Sequence, residues 1–439
     1  MTNPVAQLLK TPETRQRIFV TLGLLAAYRL GFQIPLPGTN PEYLATLARG
    51  AGGSVFGLLS AFSGGALGNT VLFALGIMPY ISSSIIFSIL GKVSPKIEAI
   101  QKEGAAGQKR INQWTRLTTV PIAIIQALFV WFSVYSREQG ILANDGTPEF
   151  LVAPVIVLGL TAGAILVMWI GELITEYGIG NGASLIIMAG IIATMPSSLS
   201  AVVASDSQAY STILTLVALW LTIVVLVVFI QKGERRIPIQ YARLSRGRRV
   251  YGGQKHFLPL KINMAGVMPI IFASALFMIP SVLFDAVGLK YVSNIFLDAD
   301  GFVHVAVSSA MVFFFCFFWN NLMFRPDDIA DNLREHGAFV PGIRPGVRTA
   351  EHIKSILQRI TLAGAVFLAI VAVLPGIITA RVPGLQGNLA YFLGGTSVLI
   401  VVGVAMDLVD KLNAQLVMRN YEGFMKGGAG PAWAGRRSN

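Results

Sequence analysis

Residues 211–231 read STILTLVALWLTIVVLVVFIQ, a run without a single charged residue. A helix needs about 20 mostly apolar residues to cross the hydrocarbon core of a bilayer, so this run predicts a transmembrane helix. The rest of the chain has the same character: 54% of its 439 residues are apolar and 13% are charged. Because a soluble domain carries about 25% charged residues, we predict an integral membrane protein with many spans.

Working outward from this run, we find ten candidate spans. They lie at residues 17–34, 69–91, 116–136, 151–173, 183–200, 211–231, 263–286, 303–324, 359–380 and 389–409. Of the 34 Lys and Arg residues, all but five fall on one side of these spans; the exceptions are Arg29, Arg49, Arg137, Lys290 and Arg381. Since Lys and Arg concentrate in cytoplasmic loops, both termini are predicted to be cytoplasmic, which an even number of spans allows.

Ten spans divide into two sets of five, and five is an odd number. Two such sets would cross the membrane with opposite topology, as inverted repeats do. The predicted fold class is therefore an all-α polytopic membrane protein, with ten transmembrane helices in two inverted five-helix halves, 1–200 and 201–439. The symmetry rests on the span count, because the halves show no residue-level repeat.

Three segments outside the spans are unusual. Segments 232–261 and 325–358 are too long for simple connectors, and the first carries nine basic residues. Between the first two spans, residues 55–62 form an apolar core too short to cross a bilayer. Gly64 and Gly65 separate this core from the second span, which describes a short hinged helix.

Several long motifs resemble those of the SecY family, in the family's order along nearly the whole chain. They are FSGGAL (62–67), ALGIMPYIS (74–82), ITEYGIGNG (174–182), ERRIPIQYA (234–242), GRRVYGG (247–253), LPLKINMAGVMP (258–269), ADNLREHGAFVPGIRPG (330–346) and GGTSVLIVVGVAMD (394–407). The resemblance implies a protein-conducting channel of the plasma (inner) membrane, through which polypeptides cross between the halves or leave sideways into lipid. It also implies the partners SecE and SecG in a heterotrimer, the SecA motor, the ribosome with its RNA, signal sequences, nascent chains and membrane lipid.

The resemblance assigns a ring of apolar side chains around the pore. The ring positions are Ile77, Ile81, Ile187, Ile271 and Ile400. A narrow apolar neck blocks ions by dewetting. The remaining family position is Ala183, so the ring is expected to lack one large side chain. Without the resemblance, each isoleucine would be assigned to packing or to lipid contact.

The resemblance also implies a plug and a lateral gate. The plug covers residues 53–65, with Val55, Phe56, Leu58, Leu59, Phe62, Gly64 and Gly65; a fixed interfacial helix is the alternative. The gate lies between the second, third, seventh and eighth spans. Ser82, Ser83 and Ser84, with Gln126 and Asn263, are the polar residues suited to bridge gate helices, because such bonds are weak enough to break. Ordinary helix contacts are the alternative.

The long basic-side segments are expected to dock the partners. Arg344 stands between Pro341-Gly342 and Pro345-Gly346, a stiff tip from which a guanidinium can pair with phosphate or carboxylate. The surrounding basic surface comprises Arg235, Arg236, Arg243, Arg246, Arg248 and Arg249. Positive charge facing anionic lipid is the alternative for each of these.

Two other function classes compete with a channel. A membrane-embedded enzyme would carry a GxxxxGK[ST], HExxH or GxSxG motif, and we find none in the sequence. The four histidines lack metal-ligand spacing, and the single cysteine, Cys316, forms no internal disulfide. A secondary transporter of small solutes would explain the inverted halves, yet it predicts charged residues at mid-membrane, which are scarce. We therefore expect no catalysis, no metal and no cofactor.

Overall fold

The computed structural model is mostly helical. It describes residues 12–40, 71–132, 149–205, 209–241, 244–246, 249–251, 255–262, 301–381 and 395–427, with positions 266, 269 and 273. The helices are α1 (Pro12–Leu30), α2 (Met78–Val93), α3 (Pro95–Lys102), α4 (Ala105–Val130), α5 (Glu149–Tyr177), α6 (Gly182–Ser205), α7 (Ala209–Lys232), α8 (Phe302–Met323), α9 (Pro326–Glu335), α10 (Val347–Arg381) and α11 (Gly395–Gly427). The strands are β1 (Glu234–Tyr241), β2 (Leu244–Arg246), β3 (Arg249–Tyr251), β4 (Lys255–Lys261) and β5 (Ala338–Phe339).

Nine of the ten predicted spans overlap helices in the described ranges, and the remaining one, 263–286, lies almost wholly outside them. Four stretches of described residues are long and apolar enough to cross a membrane: Leu151–Tyr177, Leu214–Lys232, Phe302–Glu335 and Val347–Val373. Met78–Gly91 and Gly182–Pro196 are shorter apolar helices. The described part of the chain thus has the helices that a polytopic membrane protein requires.

The predicted start of the second span at residue 69 is wrong, because α2 begins only at Met78. The preceding residues form successive turns, in which the N–H groups of Ala74 and Gly76 donate to carbonyls three residues earlier. Gly76 has a φ of 54°, a conformation that glycine adopts without the clash of a Cβ atom. Hydropathy does not reveal this break, since the residues are apolar on both sides of it.

Helices of the N-terminal half pack around two apolar clusters. One cluster centres on Leu36, Ile156 and Leu160, all of which are almost completely buried. Glycine allows the backbones to approach closely: a Cβ atom on Gly163 of α5 would lie 1.9 Å from the Leu72 carbonyl oxygen. Small residues promote close packing in membranes, where apolar burial alone does not drive helices together.

The C-terminal half has its own core between α7, α8, α10 and α11. Val227, Ala365 and Leu399 are fully buried in it. Its two central polar residues satisfy each other, because Asn320 Nδ2 donates to Thr361 Oγ1 over 2.6 Å. This buried hydrogen bond joins α8 to α10.

The two long segments that were expected to be loops fold together. Strand β1 pairs antiparallel with β4 on one side and with β5 on the other. The resulting loop unit comprises β1, β4, β5, α9 and the first turns of α10, and Ile237, Leu260, Val340, Ile353 and Leu357 form its core. The expectation of an all-α protein therefore omitted a small sheet. Helix α10 also begins at Val347, well before the predicted span start at 359, because its first turns belong to this unit.

Residues 1–200 and 201–439 contact each other along α6, the last helix of the first part, which packs against α7 and α11 of the second. Ile191 of α6 clusters with Leu216 of α7 and Ile400 of α11. The contact is apolar along this edge of the molecule. It forms a continuous joint between the halves.

Candidate functional site

Four of the five predicted ring isoleucines lie where the halves meet. Ile77, immediately before α2, and Ile81 are 4% and 7% exposed, and they belong to one apolar cluster. Ile400 of α11 is 5% exposed and belongs to a second cluster. Ile187 of α6 packs against both clusters. The structure thus brings these side chains into one connected apolar region, whereas Ile271 lies outside the described residues.

The turn of the YGIGNG motif positions α6 and its ring residues. Gly180 has a φ of 91°, and Thr21 Oγ1 on α1 accepts a hydrogen bond of 3.1 Å from the Ile179 N–H. Thr175 Oγ1 accepts another of 2.9 Å from the Gly182 N–H at the start of α6. These bonds satisfy backbone donors that the helix end would otherwise leave unpaired.

Ala183 packs against the same cluster as Ile77, with no large side chain of its own. Next to it, Gly171 of α5 leaves space that Ile77 fills, since a Cβ atom on Gly171 would lie 3.1 Å from Ile77 Cδ1. Ile186 also lies close to this glycine, since the same Cβ atom would lie 3.3 Å from Ile186 Cδ1. Sequence reasoning missed the role of Gly171, which carries no distinguishing signal of its own.

Polar residues join α2 to α4. Gln126 Nε2 donates to Ser82 Oγ over 3.4 Å, so two predicted gate residues are in contact. The stronger link comes from Ser83, which is fully buried, donates to the Thr115 carbonyl over 2.8 Å and also contacts the Thr118 hydroxyl. Ser84 accepts through its backbone carbonyl from Ser88 in its own helix. Asn263 lies outside the described residues.

Ion pairs join several charged groups near the helix ends, whereas Arg29 lies over an aromatic ring and its buried Nη1 has no hydrogen-bond partner among the described residues. Arg116 of α4 pairs with Glu172 of α5, and the Arg29 guanidinium lies 4.5 Å from the centre of the Phe32 ring. In the loop between α2 and α4, Glu98 accepts from Arg325 over 2.7 Å. Hydrogen bonds from Arg325 and then Lys102 lower the pKa of the Glu98 carboxyl. In the part of the chain that the structure describes, no cluster of His, Cys, Asp and Glu side chains could hold a metal ion.

The predicted docking arginines lie on or beside the loop unit. Arg344 is exposed at a tip between Gly342 and Gly346, whose φ angles are 83° and 99°. The Thr349 hydroxyl donates to the Arg344 carbonyl over 3.0 Å and holds the tip against α10. Arg235 and Arg236 of β1 are exposed as well, although Arg236 pairs with Glu234 at 2.6 Å.

Other predicted docking arginines are described only in part. The pairing of β2 with β3 places the backbones of Arg246 and Arg249 opposite each other. Arg243 and Arg248 fall outside the described residues, as does the whole of the predicted plug, 53–65.

Comparison with known proteins identifies the family of this chain. The SecY family model matches residues 71–409. The chain is 40% identical to the protein translocase subunit SecY of Streptomyces coelicolor over 443 residues, which cover 97% of this chain and 100% of the relative. It is also 40% identical to the SecY subunit of Mycobacterium tuberculosis over 439 residues, with 95% and 98% covered. The chain belongs to the SecY family.

Solved structures agree on the fold. A protein-conducting channel superimposes with a TM-score of 0.60 at 16% identity, covering 95% of this chain and 98% of the other. Sec61 in a canine ribosome–channel complex gives 0.57 at 16% identity, again with 95% and 98% covered. As a SecY protein, the chain is a membrane-embedded channel for protein translocation. The alternative interpretation, a transporter of small solutes, is not favoured.

Proposed function

We propose that this SecY protein conducts secretory polypeptides across the plasma membrane and releases membrane-protein segments sideways into lipid. The observation that carries the proposal is the apolar region of Ile77, Ile81, Ile187 and Ile400 where the halves meet. Such a collar resists ions by dewetting. It also makes few specific contacts, so that chains of any sequence can pass.

The proposed architecture is ten transmembrane helices in two inverted halves, 1–200 and 201–439, with both termini in the cytoplasm. The excess of Lys and Arg on one side of the spans supports this orientation. The loop unit would then face the cytoplasm. Residues 53–65 would plug the external funnel when no substrate is present, and Ile271 would complete the ring.

The lateral gate would lie between the α2–α4 pair and the second half. The contact between Gln126 and Ser82 supports a polar seam there, to which Asn263 would add. Hydrogen bonds between membrane helices contribute about 0.6 kcal/mol on average. A seam of this strength holds the gate closed yet yields to an apolar signal sequence.

The driving force would come from outside the channel, without catalysis, metal or cofactor in this chain. Arg344 is exposed on a tip held by Thr349, where it would pair with a SecA carboxylate or with ribosomal RNA phosphate. A relative in fold, Sec61, is described in a ribosome–channel complex. SecE would clamp the two halves, with SecG as an accessory subunit.

Reconstitution tests the proposal directly. The chain and SecE are placed in lipid vesicles with SecA, ATP and a secretory precursor, and translocation is measured as protection of the precursor from added protease. We expect ATP-dependent protection, which R344A lowers by at least about tenfold because a charge-assisted contact is lost. R348A is the matched control, an exposed arginine of the same segment, and should retain protection. Equal protection with and without ATP, or equal loss in both variants, would contradict the proposal.

A further inference from the structure

One ion pair joins the two halves at the end of the molecule where the loop unit lies. Arg325 Nη1 is 2.7 Å from Glu98 Oε1, and Lys102 Nζ lies 3.3 Å from the same oxygen. The side chains of Glu98 and Arg325 are 25% and 37% exposed. Glu98 thus stands between one cation of its own helix and one cation from the other half.

Glu98 lies in a part of the first half whose helices are joined by hydrogen bonds and an ion pair. It lies on α3, which connects α2 to α4, and these two helices are joined by the buried bonds of Ser83. Arg116 of α4 is in turn paired with Glu172 of α5. Glu98 therefore moves together with the α2–α4 pair.

Arg325 occupies the junction of two elements in the second half. It is the second of two residues between α8 and α9 and immediately precedes α9, and its backbone is extended, with φ −106° and ψ 103°. Helix α9 packs onto the core of the loop unit through Ile329 and Leu333. Displacement of the loop unit by a docked protein is consequently transmitted to the Arg325 guanidinium.

The joint along α6 is built differently. There the halves are held by apolar contacts of Ile191 of α6 with Leu216 of α7 and Ile400 of α11. Apolar packing tolerates small rotations, whereas an ion pair at 2.7 Å is broken by a separation of a few ångströms. The geometry is that of a hinge along α6 and a breakable contact at Glu98.

We propose that Glu98 and Arg325 form an electrostatic latch, which holds the α2–α4 pair to the end of α8 until a docked partner or an arriving signal sequence separates them. The proposal rests on the proposed function, since it assumes that the halves part at this edge. The latch is monodentate and partly exposed. Pairs of this kind shift an equilibrium by roughly two- to fivefold, which suits a contact that must break in each cycle.

The test compares variants that remove the pair with one that removes a similar charge elsewhere. E98Q, R325Q and the double variant E98Q/R325Q each abolish the pair, while R325K retains a cation. E103Q is the matched control, because Glu103 pairs with Arg110 inside the first half at 3.5 Å. Each variant is made in a chain carrying C316A, K109C and D331C, so that spin labels report the distance between α4 and α9.

Two measurements are made on the reconstituted complex with SecE. The first is the distance between the labels; the second is translocation of a precursor whose signal sequence carries one charged substitution in its apolar core. We expect E98Q and R325Q to lengthen the distance and to raise translocation of this precursor by about two- to fivefold. The double variant should change no more than either single variant, because both remove one shared interaction. R325K and E103Q should behave like the parent.

The two measurements separate the latch from the proposed function. An unchanged distance in E98Q and R325Q overturns the latch, and so does a longer distance without increased translocation in a channel that transports the normal precursor. Additive effects in the double variant would likewise overturn it. If the parent channel transports no precursor at all, the proposed function fails, and the distance measurement alone still decides whether Glu98 and Arg325 hold the halves together.

Discussion

At the scale of single residues, several close contacts in this molecule require glycine, because a Cβ atom would not fit there. Gly171 leaves room for Ile77 beside the collar, and Gly163 lets α5 touch the backbone at Leu72. Gly182 is equally tight, since a Cβ atom there would lie 1.8 Å from the Gly171 carbonyl oxygen. Because backbone atoms oppose Gly163 and Gly182, those two contacts cannot be relieved by turning a side chain, whereas Gly171 faces the end of the Ile77 side chain.

The first prediction concerns Gly163. We expect G163A to destabilise the folded channel by about 1 to 3 kcal/mol, because its new Cβ overpacks a backbone contact. Thermal unfolding of the purified protein in detergent measures the effect. G23A is the control, since a Cβ atom at Gly23 of α1 meets nothing within 4 Å. A midpoint for G163A equal to that of G23A would show that α5 can move away from Leu72 without cost.

At the scale of elements, polar bonds unite α2 and α4 into a pair, which in the proposed function forms one side of the gate. Ser83 provides a fully buried link, whereas Gln126 and Ser82 make a longer and weaker one. The buried hydrogen bond of Ser83 thus holds α2 to α4, and the weaker contact between Gln126 and Ser82 can break without separating the two helices. This division suits a seam that opens while its helices stay paired.

We predict that S83A weakens the association of α2 with α4. The change removes a donor to the Thr115 carbonyl and is expected to cost about 0.6 to 2 kcal/mol, measured as a lower unfolding midpoint and as faster hydrogen exchange in α2. S88A serves as the control, because Ser88 bonds only within its own helix, to the Ser84 carbonyl. If the amide hydrogens of α2 exchange at the same rate in S83A and S88A, the Ser83 hydrogen bond does not stabilise the contact between α2 and α4.

At the scale of the whole molecule, two distant segments of sequence fold into one body, the loop unit. Strand β1 follows α7, and β5 precedes α10, yet they pair through Gln240 and Phe339. The buried Ile353 and Leu357 of α10 complete the core. A force on the Arg344 tip therefore acts on both α10 and the sheet. It reaches Arg325 through α9.

We expect I353A to disorder the loop unit while leaving the membrane helices intact. Ile353 is fully buried, and truncation of such a side chain costs about 2 to 5 kcal/mol. Hydrogen exchange should rise in β1 and β4 but stay unchanged in α5, and SecA-dependent translocation should fall. V347A is the control, because Val347 is 75% exposed. Hydrogen exchange that rises throughout the chain would show that the loop unit does not unfold independently of the membrane helices.

The sequence by itself determined the membrane class, the positions of most helices in the described ranges, and the family. These follow from long apolar runs, charge placement and motifs such as YGIGNG and FVPGIRPG, since hydropathy and local motifs are properties of contiguous residues. The break before Met78 escaped it because the residues on both sides of the local turns are apolar. The strands of the loop unit escaped it because they depend on hydrogen bonds to partners elsewhere in the chain.

Only the tertiary structure decided which residues face one another. Nothing in the sequence links Glu98 to Arg325, which lie 227 positions apart, and nothing selects Ser83 over its neighbours Ser82 and Ser84. The clustering of Ile187 with residues of both halves is likewise invisible in an apolar run, where every isoleucine looks alike. The physical reason is that a contact depends on how helices are rotated and placed, and in a bilayer uniform hydrophobicity encodes neither.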